Sequence, residues 1–175
     1  RITNPGRAKE VMKDYLADFF KFNTFEISIP VLRDSSLAPE GKTGLVISTL
    51  FDYEIANKIK MMGWYEEFKT YCEECMINTL NDSIFPNIKN KILDRFSSTP
   101  LTIEKWVSST QGAITGWAFT NPHIPVVHKI SKMFSAVDTP LPNIYQAGQW
   151  SYSPSGFPIS VFTGKRAADL ILKKV

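Results

Sequence analysis

Two short stretches of the chain set polar or reactive groups at spacings that chemistry could use. The first is YCEEC, in which Cys72 and Cys75 form a C-x-x-C pair. Such a pair serves as a redox dithiol or as half of a zinc site, and His123 and His128 could nominally complete the ligands. The flanking pattern favours a plainer role. In WYEEFKTYCEECMINTL the residues Trp64, Phe68, Tyr71, Cys72, Cys75, Met76 and Leu80 recur with helical period, so both thiols fall on a buried stripe. Buried free cysteine packs as a small apolar residue, and the gap from Cys75 to His123 far exceeds zinc-finger spacing. The pair is assigned to the core, and no metal site is expected. The second stretch is SPSGFPISVF. Pro158 suits the first position of a helix, which leaves Phe157 at the N-cap, and Phe has no oxygen with which to cap. The first-turn N–H groups then need an acceptor from elsewhere. Either Ser155 folds back onto them, or a phosphate or electron-rich oxygen of a ligand does so.

No Ser-His-Asp set and no paired carboxylates accompany these stretches. The 175 residues are enough to bury a substantial core. Twelve Phe, six Tyr and four Trp point to a ring-rich interior or pocket. A net charge of +3, with Lys and Arg scattered along the chain, gives no electrostatic case for nucleic acid. Apolar runs such as GLVISTLF are too short to span a bilayer as a helix. The polar opening RITNPGRAKE is unlike a signal peptide, and its first residue is Arg, so a processed or excised piece of a longer protein is expected.

The elements that must position these groups follow from periodicity. Residues 7–21 place Ala8, Val11, Met12, Tyr15, Leu16, Phe19 and Phe20 on one face of an amphipathic helix. TFEISIPVL alternates as a half-buried strand, and GLVISTLF returns as a second strand antiparallel to it. A helix over 64–81 ends before Pro86. KILDRFSS is a weaker strand, and STPLTIEKWV holds a short helix capped by Thr102. NIYQAGQ is predicted as a strand and PISVFTGKRAADLILKK as a helix, with Thr163, Gly164, Ala167 and Ala168 forming a small-residue face. Strands and helices do not alternate as a parallel sheet requires. The expected class is α+β, a mixed and largely antiparallel sheet with packed helices plus a C-terminal strand-loop-helix.

Three motifs carry a family resemblance. IYQAGQWSYSPSGFPISVFTGKRAADLIL resembles the C-terminal signature of phytoene dehydrogenase-like FAD-dependent oxidoreductases, relatives of carotenoid desaturases, carotenoid isomerases and retinol saturases. DSSLAPEGKTG and the run STPLTIEKW…GAITGW resemble two further elements of that family, in the same order. The resemblance covers residues 24 to the end. It implies a substrate-domain portion over 1–137 and, over 138–175, a strand-loop-helix that completes an FAD domain. It implies FAD contacts from Gly148, Gln149, Ser155, Gly156, Pro158 and Ile159. Gln149 stands where many flavoproteins of the wider amine-oxidase type carry an acidic residue, and Ser155 where relatives often have Gly. The family's G-x-G-x-x-G unit is not in this sequence.

The function so implied is hydride transfer between flavin and a long apolar isoprenoid or polyene, with Trp106, Trp117, Phe119 and Trp150 as substrate-lining candidates. The same site could serve a flavin-dependent polyene isomerase or saturase instead. An alternative of another class is a non-catalytic module binding an apolar lipid or a protein partner. The resemblance also implies a cytoplasmic protein with peripheral membrane contact, whose partner is the FAD-binding region of the same protein. The isolated chain is expected to be inactive and to bind FAD weakly or not at all.

Overall fold

The computed structural model describes residues 5–117 and 123–173. These form an α+β fold, grouped into two compact units, 1–102 and 103–175.

In the first unit, helix α1 (Pro5–Phe22) leads to strand β1 (Glu26–Ser28). Strand β2 (Val46–Ser48) precedes helices α2 (Tyr53–Met61) and α3 (Tyr65–Ser83). The strands pair antiparallel, with Ile27 opposite Ile47. Phe25 and Ile27 are half-buried between exposed neighbours, as the alternation predicts, and Ile29 is half-buried beside a half-buried Pro30. The ladder is much shorter than the apolar run, because Pro30 starts a 3-10 turn over Pro30–Leu32 and has no N–H for a ladder bond.

The core lies between α1, α2 and α3. Leu16 and Phe20 from α1, Ile59 from α2, Trp64 at the entry to α3, and Phe68 and Cys72 within α3 are all buried together. The α1 face is narrower than its apolar pattern, since Val11 and Tyr15 stand half in solvent. Phe19 meets Phe20 and Phe51 edge to face, the favoured aromatic geometry, at 5.1 and 5.5 Å. The Tyr71 hydroxyl donates to the Lys13 carbonyl at 3.1 Å, and Glu67 takes both Lys9 and Lys13. Helix α2, which the periodicity passes over, is capped by Asp52, whose carboxylate accepts the Ile55 N–H at 2.9 Å.

Three expectations need correction. KILDRFSS is not a strand. Its Arg95 reaches Glu73 and Glu74, and Ser97 donates to Glu73 at 2.6 Å, so side chains rather than a ladder fix it to α3. Thr102 does not cap helix α4 (Pro100–Val107) from outside. It lies in the first turn and accepts the Thr99 N–H at 3.1 Å. NIYQAGQ is not a strand either. Asn143 and Gly148 bracket it with positive φ of 63° and 96°, and only an isolated bridge, Asp138 to Tyr145, forms there.

Both cysteines are free, with Cys72 buried and Cys75 half-buried. Burial pushes both thiols up from their ordinary range, Cys72 the further. Their raised values leave little thiolate for redox chemistry. The unfolded chain therefore loses these protons at a pH where the native protein keeps them. Stability should be level below the ordinary thiol range and fall as pH rises above it, by up to about 1.4 kcal/mol per pH unit for each such group. Urea titrations between about pH 8 and 10 check this, with Cys72→Ala expected to flatten the slope.

Candidate functional site

The second unit gathers most of the predicted site residues around one loop, 146–157, and the helix that follows it, α5 (Phe157–Leu172). Gln146 ties the loop's start to buried backbone. Its N–H donates to the Val137 carbonyl at 2.9 Å and its amide to the Ala136 carbonyl at 3.0 Å. Gly148 is held at both ends. Its N–H donates to Thr163 Oγ1 at 3.0 Å, and its carbonyl accepts the Ser151 hydroxyl at 2.7 Å. Thr163 is fully buried, and its hydroxyl donates in turn to the Ile159 carbonyl at 2.8 Å.

A second segment clamps the loop from the other side. Ser109 donates to the Ala113 carbonyl at 2.6 Å and receives the Gln149 amide at 3.2 Å. Trp117 Nε1 donates to the Trp150 carbonyl at 3.0 Å, and the two indoles meet edge to face at 5.3 Å. Ser153 donates to the Trp117 carbonyl at 3.0 Å. Gly116 makes this approach possible. It has φ of 75°, and a Cβ there would lie 2.3 Å from the Gln149 carbonyl oxygen, inside any tolerable contact.

The loop ends at an uncapped helix. The N-cap is Gly156, with Phe157 as the first helical residue and Pro158 after it, one position later than the sequence pattern places them. No side chain caps the helix, so Ser155 does not fold back onto it. Phe157 and Ile159 thus keep first-turn N–H groups with no intrahelical acceptor. Beside them Ser155 is 92% buried (relative exposure 8%), and its Oγ has no hydrogen-bond partner. A hydroxyl in that state costs free energy unless something bonds to it. Gly156 is extended, and the space where its Cβ would sit is open. An electron-rich ligand edge at this point would meet two backbone donors and one orphan hydroxyl, with open space beside Gly156.

The predicted residues therefore divide. Ser155, Gly156, Pro158 and Ile159 lie together at the start of α5. Gly148 and Gln149 lie in the same loop, but the Gly148 N–H and the Gln149 amide are already committed to Thr163 and Ser109. Trp117 and Trp150 form a pair, whereas Trp106 stands 80% exposed on α4. Phe119 lies outside the described residues. His128 is exposed, with Nδ1 3.3 Å from the Val126 carbonyl. Among the described residues no group of three or more His, Cys, Asp or Glu is placed to hold a metal ion. Sequence reasoning misses the support role of all three residues that hold the loop: Ser109 carries no signal, Gly116 appears only as the last glycine of the GAITGW run, and Thr163 only on the small-residue face of the final helix.

Comparison with known proteins returns no matching family model, no matching curated protein and no matching solved structure. The likeness to phytoene dehydrogenase-like enzymes rests on the quoted motifs.

Thr163→Val keeps the shape of the buried side chain and removes the acceptor of the Gly148 N–H. A loss of about 1–3 kcal/mol in stability is expected. The altered loop should also shift the fluorescence of the Trp117–Trp150 pair. Denaturant unfolding and tryptophan emission measure the two effects.

Proposed function

We propose that this chain forms the closing half of a flavin site in an FAD-dependent oxidoreductase of the phytoene dehydrogenase-like kind. Its substrate class is a long apolar isoprenoid or polyene. The observation that carries the proposal is the orphan Ser155 hydroxyl beside the uncapped start of α5. This is where the C-terminal motif implies cofactor contact.

The residues present fit the group. The Phe157 and Ile159 N–H groups offer donors to flavin oxygen or ring nitrogen, and the helix dipole favours the electron-rich edge. Ser155 Oγ supplies a third polar contact that the fold leaves unmade. Gly148 acts through backbone shape, since its amide is already engaged. Gln149 keeps its side-chain carbonyl for a hydroxyl contact while its amide holds Ser109. Bound flavin accepts or returns the hydride and so carries the difficult chemistry. What remains for the chain is to orient that flavin and keep water away, and the Trp117–Trp150 pair offers an apolar wall beside the loop. In the proposed enzyme the pyrophosphate and adenosine are held by a nucleotide-binding region, the partner of this chain. Its location is cytoplasmic.

Gly156→Val isolates the ligand role. The backbone there is extended and its Cβ meets nothing within 4 Å, so the fold should tolerate the change. The added branches would fill the approach to the helix start. With this chain joined to its nucleotide-binding region, the purified protein should show flavin absorbance. The variant should retain at least about tenfold less FAD with unchanged circular dichroism, the order expected when a close backbone approach is blocked. A colourless parent protein that takes up no added FAD overturns the proposal.

A further inference from the structure

The start of helix α3 holds a cluster of donors that the aromatic core does not use. Trp64 stands at the N-cap, and no side chain caps the helix. The first helical bond runs from the Phe68 N–H to the Trp64 carbonyl at 2.9 Å. The N–H groups of Tyr65, Glu66 and Glu67 therefore have no intrahelical acceptor. Trp64 is only 6% exposed, and its indole Nε1 is buried without a hydrogen-bond partner. An indole N–H can only donate, and a buried donor costs free energy until an acceptor reaches it. Among the described residues of the first unit, no other buried side-chain nitrogen or oxygen is left in that state.

A cleft of about 420 Å³ opens at this point, lined by Lys9, Lys60 and residues 63–67. Gly63 leaves one side of it open, since a Cβ there would meet nothing within 4 Å. Lys9 lies over the indole, with Nζ 5.5 Å from the ring centroid, so a cation and the orphan donor share one wall. The two acids are already answered by lysines. Glu67 takes Lys9 and Lys13, and Glu66 pairs with Lys69 at 3.7 Å. Lys60, exposed in the last turn of α2, pairs with no acid among the described residues. Lys9, Lys13, Lys60 and Lys69 thus outnumber the glutamates.

We propose that this cleft binds the phosphate group of a small molecule. Backbone N–H groups at a helix start, an indole N–H and an unpaired ammonium offer donors from several directions. A tetrahedral oxyanion can use such a set more fully than a flat carboxylate can. The dipole of α3 favours negative charge at the same place. The cleft falls within the size range of small-molecule sites, which leaves room for the organic part of a phosphate ester. A metal cation is the poorer occupant, because the indole N–H cannot ligate it and the lysines repel it. The site lies wholly within the first unit, and the inference does not rest on the flavin proposal.

Titration of the 175-residue chain with inorganic phosphate, without FAD, tests it through the indole and amide resonances. The Trp64 indole N–H and the amides of Tyr65 and Glu66 should shift saturably, with half-saturation at about 1 mM or below. Sodium chloride at equal ionic strength should leave them in place. Glycerol phosphate, titrated alongside, separates the sources: tighter binding identifies an ester as the occupant, and weaker binding the free ion. Lys60→Glu should weaken phosphate binding by at least about fivefold with unchanged circular dichroism, since it reverses an exposed charge. Trp64→Phe keeps a ring in the core, removes the donor and should weaken binding about tenfold. Where circular dichroism shows that Trp64→Phe has not folded, Lys60→Glu and the indole shift decide the matter. An unmoved Trp64 indole, equal shifts with chloride, or phosphate binding insensitive to Lys60→Glu overturns the proposal.

Discussion

The second unit depends on one buried hydroxyl. Thr163 Oγ1 accepts the Gly148 N–H and donates to the Ile159 carbonyl, so a single side chain joins the loop to the first turns of α5. Both bonds lie where water does not reach, and a buried amide left without an acceptor would cost about 1–3 kcal/mol. With Gly148 fixed, its carbonyl holds Ser151, and the loop beyond is directed to Gly156. The loop then ends at the uncapped helix start, beside the unpartnered Ser155. The fold satisfies the polar groups on the way to the helix and leaves those at its mouth unmet.

The same principle explains the clamp on the other side. Gly116 lets its backbone approach the Gln149 carbonyl more closely than any side chain would permit, and Trp117 then bonds to the Trp150 carbonyl. In the first unit the organising force is different. There α1, α2 and α3 close on aromatic rings, and the polar contacts between α1 and α3, such as Tyr71 to Lys13, lie around that core.

How much of this was legible depended on whether the signal was periodic. The stripe Trp64, Phe68, Cys72 and Leu80 fixed α3 and its buried side, because helical burial repeats in sequence. The antiparallel pairing of the two strands was legible from their alternation, but the register that sets Ile27 opposite Ile47 was not. NIYQAGQ was not, because an apolar run says nothing of the positive φ at Asn143 and Gly148 that ends a strand. KILDRFSS misled in a similar way, its order coming from Arg95 and Ser97 side-chain bonds. At the candidate site, Pro158 announced a helix start but not which residue precedes it. The commitment of the Gly148 amide to Thr163 is a contact fifteen residues distant, and no local pattern encodes it.

The central claim, that the start of α5 is a ligand site for flavin, is tested most directly by amide chemical shifts during titration with FAD of the chain joined to its nucleotide-binding region. Such shifts report even weak binding, residue by residue. The account predicts saturable changes at Gly156, Phe157 and Ile159, with the amides of α1 to α3 unmoved. Unchanged shifts at those three residues, or changes scattered over the first unit, would contradict it.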